Sequence, residues 1–171
     1  GRSNAGKSSA INALAGRNRL AFASRTPGRT QQIVMFGLPS GAIVADLPGY
    51  GYAAVPKAVK RVWQDVLATY VATRSTLVAL VLVVDARHCL KPLDLSMLDG
   101  FLPSCRPVMV LATKSDKLTR TESARASAAI RGQLAERYRE QAAYVTVVPF
   151  SATARTGLME ADAILARWLA A

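Results

Sequence analysis

The residues best suited to chemistry stand at the start of the chain. Gly1-Arg2-Ser3-Asn4-Ala5-Gly6-Lys7-Ser8-Ser9 fits G-x-x-x-x-G-K-[ST], a loop that wraps backbone N–H groups around phosphate oxygens. Gly1 and Gly6 allow backbone angles and close approaches that a Cβ would obstruct. Lys7 reaches terminal phosphates, and the Ser8 hydroxyl suits Mg²⁺. The helix that follows turns its positive end toward the same anion.

Three further segments carry matching chemistry. Asp46-Leu47-Pro48-Gly49 offers a carboxylate for Mg²⁺ through water and a Gly49 N–H for a γ-phosphate. Thr113-Lys114-Ser115-Asp116 offers a carboxylate that can accept from both N1–H and the N2 amino group of guanine, a pairing adenine cannot supply. The Lys114 stem can lie along the base. Ser151-Ala152 can present backbone N–H to the guanine O6. Thr30, in Gly28-Arg29-Thr30-Gln31-Gln32, either completes the Mg²⁺ shell when a γ-phosphate is present or simply opens a strand.

These segments need a scaffold that brings them together. The spacing predicts a helix over Lys7–Ala15, then a basic loop over 17–29 with a Thr26-Pro27-Gly28 turn. Residues Gln32–Phe36 and Gly41–Ala45 read as a hairpin. A helix is expected over Pro56–Ala72, with Trp63 in its core stripe, and a buried strand over Leu77–Val84. There follow a helix over Pro92–Leu102, a strand over Val108–Ala112 and a helix over Thr119–Arg139 opened by a Thr119-x-x-Glu122 capping box. A strand over Tyr144–Phe150 and a helix over Leu158–Trp168 close the chain. This alternation predicts an α/β fold with a mostly parallel sheet and helices on both faces. Asp46, Lys114, Asp116, Ser151 and Ala152 all fall just after strands, on the rim where such sheets bind ligands. A phosphate loop ordinarily follows a central strand, and the sequence opens directly on the loop. The expectation is a longer natural polypeptide.

Composition narrows the class. The 171 residues fit one domain, 1–171, and 51% hydrophobic content excludes a disordered tail. Lys and Arg number 22 against 11 Asp and Glu, a net charge of +11, which favours a polyanionic partner such as RNA. Residues 1–45 hold six basic side chains and no acid. Cys89 and Cys105 lack metal or disulfide spacing and read as buried thiols of a reducing compartment. His88, the single histidine, reads as a loop residue. No apolar run is long enough for a membrane span.

Taken together, GRSNAGKS, PGRTQ, DLPGYGYA, TKSD and FSA resemble a translation-factor-type small GTPase. GRSN-x-GKSS, TPGRTQ and DLPGYGYA look like the EngB/YihA/YsxC family of bacterial ribosome-assembly GTPases. The resemblance covers essentially the whole chain. It implies a P-loop GTPase fold whose first strand, before the phosphate loop, is absent from this sequence. It also implies GTP/GDP and Mg²⁺ binding, slow hydrolysis and cytoplasmic work on ribosomal RNA and the large ribosomal subunit, with a tie to growth and cell division. By similarity, residues 1–8 hold phosphates, Ser8, Thr30 and Asp46 serve the metal, residues 28–32 and 46–49 are switch contacts, and residues 113–116 and 150–152 hold guanine. Lys7, Thr30 and Gly49 form the implied catalytic set. Asn4 matches a loop position that binds K⁺ in the wider class. Thr113 departs from the common Asn and implies at most somewhat weaker nucleotide binding. Tyr50 stands where Ras-like enzymes carry a water-orienting Gln, so slow intrinsic turnover raised by a partner is expected, from a monomer. The competing reading is a passive RNA-binding module with a degenerate nucleotide site.

Overall fold

Val108–Thr113, hereafter β4, is buried at every position. Such a strand must be covered on both faces, and its side chains divide accordingly. Val108, Val110 and Ala112 join one apolar cluster, while Met109 and Leu111 join another. This computed structural model describes residues 1–2, 4–16, 33–38, 40–49, 69–71 and 73–170.

Among these residues the elements run α1 (Lys7–Leu14), β1 (Val34–Gly37), β2 (Ile43–Asp46), β3 (Leu80–Asp85), α2 (Pro92–Phe101), β4, α3 (Arg120–Tyr138), β5 (Val145–Pro149) and α4 (Leu158–Leu169). The strands β3, β4 and β5 pair in parallel, with Leu80 opposite Val108 and Val108 opposite Val145. Parallel neighbours need crossovers, and α2 and α3 supply them. One face of the sheet packs Leu98 and Phe101 of α2 with Ile130, Leu134 and Tyr138 of α3. The other face packs Ala10 of α1 with Ala161 and Ile164 of α4. The expected parallel sheet with helices on both faces is therefore present.

The hairpin is present too. β1 and β2 pair antiparallel, Val34 opposite Asp46 and Gly37 opposite Ile43. Among the described residues this hairpin forms a sheet of its own, separate from the three parallel strands. Between the two sheets lies an apolar cavity of about 360 Å³, lined in part by Phe36, Val44, Leu82 and Leu111.

Local chemistry sets the helix starts. Thr119 Oγ1 accepts from the Glu122 N–H at 3.2 Å, and the Glu122 carboxylate accepts from the Thr119 N–H at 2.8 Å. This is the reciprocal capping box expected from the sequence. Pro92 opens α2, where its missing N–H costs nothing, and the buried Asp94 accepts from the Lys91 N–H at 2.9 Å.

Four expectations are corrected. The third strand begins at Leu80 rather than Leu77, because Leu80 is the first residue with a partner on β4. The last strand begins at Val145; Tyr144 instead ends a short 3₁₀ turn, Arg139–Tyr144, that follows α3. Helix α2 ends at Phe101, and Leu102–Ser104 tighten into 3₁₀ geometry. The cysteines are not buried: Cys89 is half-buried and Cys105 is exposed. His88 does lie in the turn after β3, as expected.

Ser3, the basic loop 17–29, Thr30, Gln31, Gln32, Tyr50 and most of the helix expected over 56–72, Trp63 included, lie outside the described residues. Tyr70 and Val71, near the end of that segment, are helical.

Candidate nucleotide-binding site

The phosphate-loop motif passes directly under the ends of β3 and β4. At Gly1, an added Cβ would lie 2.3 Å from the Val83 carbonyl oxygen, so close packing against β3 excludes a side chain there. At Gly6 the reason is conformational: φ is 91°, in the left-handed region. Asn4 shares that region with φ 63°, and Ala5 N–H closes the turn onto the Arg2 carbonyl at 3.1 Å. Helix α1 then starts with Lys7 and Ser8. Its first turn holds no acidic residue and no side-chain cap. The first N–H groups of a helix have no partner within it, and here they face the turn of the loop.

The end of β2 meets this helix start. Asp46 is buried, 6% exposed, and its carboxylate pairs with the Lys7 ammonium. Leu47, Pro48 and Gly49 continue from it along the same edge, with Pro48 buried. Strand β4 arrives from the other side. Thr113 Oγ1 donates to the carbonyl of Ala5 in the loop and lies 3.0 Å from the Val84 carbonyl. Lys114, with φ 60°, places its Nζ 2.7 Å from the Asn4 carbonyl and 2.9 Å from Asp85 Oδ2. Ser115 N–H donates to the Phe150 carbonyl at 3.1 Å, and Phe150 N–H to Ala112 at 2.8 Å. Those two bonds bring the end of β5 beside the end of β4.

Asp116 completes the edge. Its Oδ1 accepts from Ser151 Oγ at 2.7 Å, and Ser151 Oγ itself accepts from the Ala154 N–H at 3.0 Å. The Ser151 hydrogen bond outweighs partial burial and holds the Asp116 carboxyl below its ordinary range, so it is an acceptor at neutral pH. Ala152, next in the chain, is half-buried beside it.

Thus the described members of the expected set, Gly1, Arg2, Asn4–Ser8, Asp46–Gly49, Thr113–Asp116 and Phe150–Ala152, share one rim. Ser3 and residues 28–32 fall outside the described part. Sequence reasoning missed Asp85 and Arg87. Asp85 ends β3, and the Arg87 guanidinium grips it with Nε at 2.9 Å and Nη2 at 2.7 Å. Its position at the carboxyl end of a strand is the same signal that marked Asp46 and Asp116.

The oxygen donors suit a hard divalent cation. Asp46 is a buried carboxylate beside the helix start that carries the Ser8 hydroxyl, and Mg²⁺ prefers one or two such protein oxygens together with water and phosphate. Among the described residues no group of three His, Cys, Asp or Glu side chains converges.

Comparison with known proteins agrees with this geometry. A family profile described as "50S ribosome-binding GTPase" matches residues 1–114. A probable GTP-binding protein EngB of Azoarcus sp. (strain BH72) is 52% identical over 169 residues, covering 99% of this chain and 79% of that protein. The chain belongs to the EngB family of GTP-binding proteins. A second EngB relative, from Thiobacillus denitrificans, is 48% identical over 170 residues, 99% of this chain and 80% of its own. The chain also has the fold of more distant GTPases. Era, solved with MgGDPNP and nucleotides 1506–1542 of 16S ribosomal RNA, superimposes with a TM-score of 0.70 at 20% identity. That match covers 98% of this chain and 54% of Era. NFeoB from S. thermophilus, bound to GDP.AlF4⁻ and K⁺, gives 0.63 at 22%, covering 98% of this chain and 59% of NFeoB. The chain spans somewhat more than half the length of those two solved chains. Among the described residues no helix is long and apolar enough to cross a membrane.

Proposed function

We propose that this protein is a slow GTPase whose nucleotide state gates its binding to ribosomal RNA of the large subunit during assembly. The observation that carries the proposal is the meeting of distant segments at one rim, through Lys7–Asp46, Lys114–Asn4 and Ser151–Asp116. Asp116 accepts from the guanine N1–H and N2 amino group. The Lys114 stem covers the base, and Ala152, which follows Phe150 and Ser151, whose own N–H groups are held by Ala112 and Thr156, presents its N–H to O6. The backbone of residues 1–6 and the start of α1 receive the phosphates. Lys7, released from Asp46, neutralises their terminal charge. Ser8 and Asp46, joined by Thr30, would hold Mg²⁺, which supplies charge neutralisation at the phosphate oxygens when bound. The Gly49 N–H faces the γ-phosphate, and Gly28, Arg29, Gln31 and Gln32 belong to the segment that senses it. Phosphoryl transfer requires positioning and charge stabilisation more than covalent help. Tyr50 supplies no carboxamide to orient water, and turnover without a partner is slow.

The partner assignment is supported by the net charge of +11 and by the words of the matching family description. A monomer in the cytoplasm, acting in growth and division, completes the proposal. K⁺ beside the Asn4 position would assist hydrolysis, in line with the K⁺ named with NFeoB. Titration of labelled GTP and ATP tests the site, with a strong GTP preference expected. Equal affinity would discard the guanine assignment. Co-sedimentation with 50S particles in GDP and in a non-hydrolysable GTP analogue tests partner and switch together. Equal pelleting in both would remove the switch. Hydrolysis at the same rate in Na⁺ and K⁺, with and without ribosomal particles, would remove the potassium role.

A further inference from the structure

A chain of polar contacts runs beside the rim, joining Asp85 and Arg87, which belong to no motif, to Lys114 and Asn4, which do. Arg87 holds both oxygens of Asp85, at 2.9 and 2.7 Å, and its own backbone N–H adds a bond to Oδ1 at 3.1 Å. Asp85 Oδ2 also pairs with the Lys114 ammonium at 2.9 Å. The same ammonium donates to the Asn4 carbonyl at 2.7 Å. Four consecutive groups thus link the end of β3, the end of β4 and the turn of the phosphate loop.

The physical logic is one of restraint. A lysine ammonium on four methylenes has many rotamers, and fixing it costs side-chain entropy. Two charge-assisted contacts at once, one carboxylate and one carbonyl, offset that cost. Asn4 and Lys114 both occupy left-handed backbone conformations, which non-glycine residues adopt only where surrounding contacts hold them. The bond between these two strained positions is the contact that Asp85 braces from behind. Partial burial would raise the Asp85 carboxyl, but hydrogen bonds from Arg87 and Lys114 outweigh it and hold it well below the usual carboxylate range. The side chain is therefore a carboxylate at neutral pH.

A cavity of about 280 Å³ opens beside this cluster, lined in part by Arg2, His88 and Asp94. Arg87 and Lys114 on its wall both pair with Asp85, which offsets part of their charge there. Its chemistry points back to the brace.

We propose that Asp85, clamped by Arg87, is a positioning residue of the nucleotide site: it fixes Lys114 across the phosphate loop at the Asn4 carbonyl. This rests on the nucleotide reading above, in which the Lys114 stem covers the base. The brace holds the loop and the base platform at one spacing before ligand arrives, so its loss appears mainly as faster release.

The test is a double-mutant cycle on the full chain, with fluorescent GDP as the probe and both affinity and dissociation rate recorded. Asp85→Asn weakens GDP binding about tenfold, the scale of one charge-assisted contact. In a Lys114→Met background, which keeps the stem and removes the ammonium, Asp85→Asn changes affinity less than about twofold. Arg87→Gln, which leaves Lys114 untouched, weakens binding by a smaller factor and guards against a folding defect in Asp85→Asn. The same loss from Asp85→Asn in both backgrounds overturns the proposal, since Asp85 would then act independently of Lys114. So does wild-type affinity in Asp85→Asn and Arg87→Gln alike. Failure of the wild-type chain to bind GDP would instead overturn the nucleotide reading itself.

Discussion

Thr113 stands where the commonest GTPase sequence has Asn, and its hydroxyl still ties β4 to the loop carbonyl of Ala5. Thr113 is 3% exposed, so removing that donor strands a buried carbonyl. Unpaired buried acceptors cost about 1–3 kcal/mol. Thr113→Val, nearly the same shape, is expected to lose that much stability and to weaken GDP binding by about tenfold. Chemical denaturation and a GDP titration measure the two effects, and a neutral result would show that the hydroxyl is idle. Asp116 makes a different kind of claim. Its Oδ1 is anchored by Ser151, and its Oδ2 pairs at 3.3 Å with the exposed Lys117 ammonium, a weak surface pair that the base can displace. Asp116→Asn reverses donor and acceptor at one atom, and is expected to exchange guanine preference for xanthine. Competition between GDP and XDP reads this directly. Unchanged GDP affinity in the variant would remove Asp116 from base recognition.

At the scale of elements, helix α3 depends on its start. The Thr119 and Glu122 bonds satisfy backbone groups that the helix cannot. Thr119→Ala should cost about 1 kcal/mol, seen as a lower denaturant midpoint with an unchanged slope. The far end of α3 is tied to α2: the Arg137 guanidinium forks onto Asp99 at 3.1 and 2.8 Å, and Tyr138 Oη donates to Asp99 at 2.9 Å. Hydrogen bonds from Arg137 hold the Asp99 carboxyl below its ordinary range despite some burial. Asp85 is lowered in the same way, where Arg87 and Lys114 outweigh burial. The sign follows from linkage. A carboxylate with a depressed folded pKa contributes stability above its unfolded value near pH 4, and loses it as pH falls further. The melting temperature is therefore expected to change little from pH 7 to 5 and to drop below about pH 4. The drop should be shallower in Asp85→Asn. An equal drop in that variant would mean that the acid sensitivity arises elsewhere.

For the whole molecule the charge balance dominates. With 22 basic against 11 acidic residues, approach to a polyanion is favoured at long range and screened by salt. If the partner is ribosomal RNA, affinity for 50S particles should fall at least about tenfold between 50 and 200 mM salt, linearly on logarithmic axes. GDP affinity, fixed by short contacts at the rim, should move far less. Binding to particles that ignores salt would argue for a protein partner or for none.

The sequence alone was enough for the architecture and for naming most of the described segments that meet at one rim. Its phosphate-loop pattern, the buried run at Val108–Ala112 and the polar motifs after each strand follow from local rules: glycine's backbone freedom, the apolar period and capping chemistry. The helix starts were equally legible, as the Thr119–Glu122 box shows. Strand limits were not, because a strand ends where its neighbour does, and Leu77 and Tyr144 look apolar enough to belong. The role of burial at the cysteines was misjudged for a related reason: Cys105 sits at the exposed end of a 3₁₀ turn that only packing defines. Asp85 and Arg87 carried no motif. A charged residue at a strand end has many uses, and only the folded arrangement set Asp85 between Arg87 and Lys114. Patterns along the chain encode periodicity and local hydrogen bonding, while pairings between charges 29 residues apart exist only once the sheet has brought its strand ends together.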